Sequence, residues 1–160
     1  MLDQISSMFQ AANFNIVPHL VSLSIAYVLA LPIGWHRERT ERSAGMRTFP
    51  LVAVASCAFI QATESITAEN PEALARITEG VITGMGFIGG GAILKVRDSV
   101  RGTATAASLW ATGAIGIAVA LGKFDVALMI SVFTFATLLV FSPKEEALEA
   151  DVEDKKPRSD

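Results

Sequence analysis

Four charged side chains stand where they could do chemistry: Glu38, Arg47, Glu79 and Arg101. Glu38 lies in a run of alternating sign, Arg37-Glu38-Arg39, with Glu41-Arg42 beyond it. Arg47 follows Ala44-Gly45-Met46. Its planar guanidinium is suited to a buried carboxylate, and Glu38 is the nearest candidate. The plainer reading of the same run is topological anchoring with salt bridges. Glu79 sits two turns into a helix opening at Pro71. A carboxylate inside hydrocarbon is costly and marks function by default; the alternative is an interfacial carboxylate paired with Arg76, three residues earlier. Asp125 is expected on the same side of the membrane, and the two acids together would form a cation-attracting mouth. His19 and His36 fall at opposite ends of one predicted helix, so they cannot share a metal. Hard cations need several oxygens, and no metal site can be assigned. No nucleophile–base pair or cofactor motif stands in a plausible site, which predicts a non-enzyme without cofactor. Cys57, the one cysteine, lies among Val54, Ala55, Ala58 and Phe59 and reads as an inert packed thiol.

A second group of residues does its work by lacking side chains. Gly80, Gly84, Gly86, Gly89, Gly90 and Gly91 crowd one apolar segment, and Gly80/Gly84 and Gly86/Gly90 are both spaced four apart. Such pairs let helix backbones approach closely in lipid, where no hydrophobic drive brings helices together. The expectation is tight packing within a protomer or between protomers, so that Gly86→Leu would lower accumulation in the membrane. The competing expectation is a helix unwound at Gly89-Gly90-Gly91 beside a cavity. Gly84-Met85-Gly86-Phe87-Ile88-Gly89 matches a dinucleotide-binding pattern, but inside an apolar helix rather than after a strand. A P-loop fails too, for want of the Gly-Lys-Ser/Thr ending.

The elements that must position these residues are membrane helices. The 160 residues are 51% hydrophobic and 18% charged, with mean hydropathy +0.46. That charged share is below the roughly 25% of soluble chains. Residues 17–33, 103–122 and 126–143 carry no charge at all. Spans are predicted at about 17–35, 48–66, 71–94, 103–121 and 124–141. About 20 apolar residues cross a hydrocarbon core of roughly 30 Å. Asn70-Pro71 reads as an N-cap followed by proline in the first turn. Arg37, Arg39, Arg42 and Arg47 load the loop after the first span, and Lys95, Arg97 and Arg101 the loop after the third. The intervening loops are acidic or nearly uncharged, so the positive-inside rule predicts the N-terminus outside and the C-terminus inside. The fold class is therefore all-α, a polytopic bundle of about five transmembrane helices over residues 17–142. Residues 1–16 read as an amphipathic interfacial segment or a frayed terminus, and 143–160 as a charged, disordered tail. No basic stripe suits nucleic acid.

The chain resembles the MgtC/SapB family of bacterial inner-membrane proteins. The matching stretches are Gly34-Trp35-His36-Arg37-Glu38-Arg39, Ala44-Gly45-Met46-Arg47-Thr48, and Thr83 through Leu94. Val100 through Trp110 and Ala114-Ile115-Gly116 follow in the same order. The resemblance implies a bundle of four or five spans and a role in adaptation to low magnesium or acid stress. It implies action as a regulator through membrane partners. Inhibition of the ATP synthase membrane sector is the mechanism associated with virulence members. The 18 residues after Ser142 match the family's short branch, without the soluble C-terminal domain of those members. Two positions depart from the pattern: His36 stands where a Glu is usual, and Phe49 where a His is usual.

Taken together, these readings predict a regulatory membrane protein linked to magnesium, with the lipid bilayer, membrane proteins and further copies of itself as partners. Its functional residues would be Glu38, Arg47, Glu79 and Arg101, the helix-packing Gly84, Gly86, Gly89, Gly90 and Gly91, and Trp110. The alternative is a Mg²⁺ or H⁺ transporter or channel, against which the arginine-rich inner end counts.

Overall fold

The computed structural model describes residues 16–40, 44–96 and 99–141. The predicted interfacial segment, Ile16 excepted, and the predicted tail lie outside the described residues.

Helix α1 spans Ile16–Thr40. It buries Ala26, Ala30, Ile33, Gly34 and Arg37, which fall on one face at helical spacing. The helix continues past the predicted end at Trp35 through Arg37, Glu38 and Arg39, which were expected in the loop after it, because Arg and Glu are good helix formers. Helix α2, Thr48–Gln61, buries Phe49, Ala53, Cys57 and Ile60 at the same spacing. It stops five residues short of the predicted end. Thr63 leaves the helical region and its hydroxyl donates to the Ile60 carbonyl at 2.9 Å, so a side chain competes with the helix for its own backbone. A four-residue turn of helix, α3 (Glu64–Thr67), follows.

Helix α4, Pro71–Gly91, begins as its sequence predicts: Asn70 Oδ1 accepts from Ala73 N at 3.0 Å, with Pro71 in the first turn. It remains helical through Gly91, so the glycine run does not unwind, but it ends before Leu94. Leu94–Val96 (β1) pairs antiparallel with Ser99–Arg101 (β2), Leu94 opposite Arg101. This hairpin replaces the end of the predicted third span. Helices α5 (Thr103–Ala120) and α6 (Phe124–Phe141) agree with their predicted spans to within a residue.

Helix α5 is the hub, packed against α1, α2, α4 and α6. It is buried on several faces, including Leu109, Thr112, Gly113, Ile115 and Gly116. Helix α4 leans on α5 and more lightly on α2, and buries only Met85 and Gly89.

The periphery is apolar. Phe87 is 86% exposed and Phe141 79%, among many large aliphatic and aromatic side chains. A contiguous surface of this kind would drive a protein out of water, and the chain is a membrane protein. By length and composition, α1, α5 and α6 can each cross a bilayer. Helix α2 is apolar but only 14 residues long. Helix α4 has the length, at 21 residues, but carries Glu72, Arg76 and Glu79 in its first half.

Candidate functional site

Residues from three separated stretches meet at the basic end of the bundle. The first is the C-terminal part of α1. Gly34, on its buried face, lies against the 44–47 turn: a Cβ there would sit 3.3 Å from Gly45 O, Met46 Cα and Phe49 Cβ alike. One turn on, Glu38 Oε2 accepts from Met46 N at 2.6 Å. A Cβ on Gly45 would come within 2.6 Å of Glu38 Cβ. The turn therefore closes onto α1 through a charged hydrogen bond, and glycine at position 45 is what admits the carboxylate.

The expected Glu38–Arg47 pair is not formed. Glu38 is occupied by the backbone, while Arg47 is exposed at the start of α2, and no ion pair joins them among the described residues. The buried guanidinium belongs to Arg37, 3% exposed, whose Nη2 donates to Thr105 Oγ1 on α5. A buried charge is tolerable only when hydrogen-bonded. The Arg37–Thr105 contact ties α1 to the first turn of α5. Neither residue stood among the predicted site residues. The signal was present in the spacing Ala26, Ala30, Ile33, Arg37, which carries Arg37 onto the buried stripe of α1.

The third stretch is the hairpin and its exit. Gly102 joins β2 to α5 with φ +87°, and its bare Cα lies against the Ala92 carbonyl. Arg101, exposed, closes β2 beside it. On the outer side of α1, Arg39 stacks over Trp35, 4.0 Å from the ring centroid. His36 is half-buried with its ring edge-on to Phe135, and Phe49 is fully buried in the core. The two departures from the family pattern thus fill structural positions.

The remaining predicted residues do not join this cluster. Glu79 is exposed on α4 and makes no ion pair with Arg76 among the described residues. Asp125 is exposed in the first turn of α6. Trp110 lies in a cleft between α4, α5 and α6, near Ile82 and Val126. Of the glycines on α4, Gly89 alone makes the close contact expected: a Cβ there would sit 3.3 Å from the Ala106 carbonyl oxygen. A Cβ on Gly80, Gly84, Gly86, Gly90 or Gly91 would meet nothing within 4 Å. None of these five glycines is in close contact with a neighbouring helix, so close packing within the protomer is not their work. The expected loss of accumulation is accordingly reassigned: Gly89→Leu should deplete the protein from membranes, while Gly86→Leu should accumulate like wild type, by quantitative immunoblot of membrane fractions. The tight crossing points lie elsewhere, at Gly113 against Met85 and Gly116 against the α2 backbone. Among the described residues no group of three or more His, Cys, Asp or Glu is placed to hold a metal ion.

Comparison with known proteins points one way. The sequence profile of the MgtC family matches residues 23–147. Protein MgtC of Salmonella typhimurium (strain LT2) is 37% identical over 111 residues, 69% of this chain and 47% of its own length. Protein SrpB of Synechococcus elongatus is 38% identical over 131 residues, 74% of this chain and 72% of its own. Protein MgtC of Brucella abortus is 33% identical over 127 residues, 79% of this chain and 52% of its own. The chain therefore spans about half the length of the MgtC relatives it matches. No solved structure matches it.

Proposed function

This chain belongs to the MgtC family, and we propose that it acts in magnesium homeostasis as a non-enzymatic, multi-pass protein of the bacterial inner membrane, working through other membrane proteins. Residues 17–142 form its bundle, with the basic end on the cytoplasmic side. The observation that carries this reading is the convergence of family-like stretches at that end. Glu38 holds the 44–47 turn, Arg37 is bonded to Thr105, and Gly102 lies against Ala92. These contacts hold α1, the 44–47 turn and the hairpin exit together at an end where Arg39, Arg47, Lys95 and Arg101 are exposed. Arginine at a mouth repels Mg²⁺ by simple Coulomb repulsion, whereas a preorganised basic surface suits a protein partner with complementary charge. The two clefts beside α4 are walled mainly by aliphatic and aromatic side chains, which offer a hydrated cation few oxygen ligands.

The membrane sector of ATP synthase is the partner we favour, following the family resemblance. Crosslinked affinity purification from membranes should recover its subunits with the wild-type chain. Glu38→Ala, which releases the 44–47 turn, should reduce recovery several-fold at equal expression. Recovery of no such subunit, together with Mg²⁺ flux in proteoliposomes that is lost in Glu79→Gln, would replace this reading with transport.

A further inference from the structure

Between α2 and α4 runs a lateral cleft of about 750 Å³. Leu51, Val52 and Phe59 wall it on one side, and Ile77, Val81 and Ile88 on the other. Gly80 and Gly84 also face it, and since a Cβ at either meets nothing within 4 Å, both keep the slot open. Ser56, midway along, has its hydroxyl turned onto Met85 Sδ at 3.6 Å. The cleft's charge is confined to one end, where Arg47 stands at the start of α2.

We propose that this cleft binds an anionic phospholipid, one acyl chain in the slot and the headgroup phosphate on Arg47. Three observations support it. First, a slot so apolar inside a membrane bundle does not hold water, which needs two to four polar partners. Second, the dimensions fit one leaflet. From Ile77 to Ile88 the wall runs about 16 Å at 1.5 Å per residue, close to half of the roughly 30 Å hydrocarbon core. An extended acyl chain of one leaflet matches that length. Third, the charge is complementary. No carboxylate among the described residues takes the Arg47 guanidinium, since Glu38 is bonded to Met46 N. The guanidinium fork matches a phosphate bidentately, and basic pockets between helices at the cytoplasmic face are a recurrent site for anionic headgroups. The inference is independent of the magnesium reading and of any protein partner.

The test is native mass spectrometry of the full chain released from micelles, with phosphatidylglycerol or phosphatidylcholine of identical acyl chains as probes. Wild type should retain phosphatidylglycerol about fivefold over phosphatidylcholine, the factor that one basic residue near a membrane surface confers. Arg47→Gln should abolish the preference and Arg47→Lys should keep part of it. Gly84→Leu fills the slot and should lower retention of both lipids; Gly80→Leu, on the same wall, is the second slot-filling variant. Circular dichroism at wild-type helicity confirms that the variants fold. Equal retention of the two lipids by wild type would overturn the proposal. So would a preference that survives Arg47→Gln, or a dimer without bound lipid that Gly84→Leu dissolves, which would make a second copy the occupant.

Discussion

Gly102→Val is expected to remove nearly all of the protein from the membrane. Two penalties fall on the same atom. At φ +87° the residue stands in the left-handed region, where an L side chain costs about 1–2 kcal/mol and a β-branched one fits worst. The new Cβ would also overlap the Ala92 carbonyl oxygen. That oxygen belongs to the backbone at the end of α4, so no side chain can swing aside to admit the methyl groups. Relief would require parting the hairpin exit from α4, and with it the placement of Thr105 opposite Arg37. Native proteins hold only about 5–15 kcal/mol of net stability, and strain plus a backbone collision takes a large share of it. Gly102→Ala should show the same defect in weaker form. Gly122, also at positive φ but with nothing within 4 Å of a Cβ, is the comparison that separates the penalties. Gly122→Ala should lose only the conformational part and retain most of the wild-type amount. Immunoblots of membrane fractions, with fluorescence size-exclusion chromatography of detergent extracts, read both the amount and the monodispersity. Wild-type levels of Gly102→Val would show that the hairpin does not brace the bundle.

Much of this molecule is legible in its sequence, and the parts that are not fail for identifiable reasons. Helices α5 and α6 follow from uncharged apolar runs, which leave a bilayer-length helix as the stable arrangement. The start of α4 is readable because Asn70 and Pro71 each have one physical reason to stand where they do. The end of α2 is not, since the competition that Thr63 offers for the Ile60 carbonyl depends on geometry that a hydropathy window averages away. The β1–β2 hairpin is hidden for a related cause: Leu94 and Val96 extend an apolar run whatever conformation they take. The glycines on α4 illustrate a different limit. Spacing tells which glycines share a face, but a missing side chain leaves no polarity by which to say whether that face meets a neighbour. Gly89 meets one and Gly86 does not. At the candidate site, the stretches Gly34–Arg39 and Ala44–Thr48 are legible as motifs, and the structure brings them into contact through Glu38 and Met46. The expected Glu38–Arg47 pairing fails because the Glu38 carboxylate is taken by the Met46 backbone N–H, while the stripe of α1 delivers Arg37 rather than Arg47 to the interior.

Gly116→Leu is the packing counterpart, and it should be as damaging as Gly102→Val by a wholly different route. Helices α2 and α5 form the most extensive contact in the bundle, and Gly116 lies at their crossing. A Cβ there would overlap the Ala53 carbonyl oxygen and come within 2.9 Å of Ser56 Cβ and 3.0 Å of Cys57 N. Two of those three atoms are main-chain, so the helices themselves must separate. In lipid, helices are held by dispersion contacts that fade within fractions of an ångström, and a leucine-sized wedge forfeits them along the whole crossing. The cost is expected at or above the ~3 kcal/mol upper end of ordinary overpacking. Gly113, three residues earlier, supplies the control. A Cβ there collides instead with the side chain of Met85, a flexible thioether that can be shortened. Gly113→Ala should therefore be impaired alone and recover when combined with Met85→Ala. Gly116→Leu should not recover with Ser56→Gly, because the obstructing Ala53 and Cys57 atoms are backbone. Thermal melting by fluorescence size-exclusion chromatography distinguishes these outcomes. Rescue of Gly116→Leu by Ser56→Gly would mean that side chains rather than helix backbones set the α2–α5 distance, and the close approach of the two helices would no longer be what holds the bundle together.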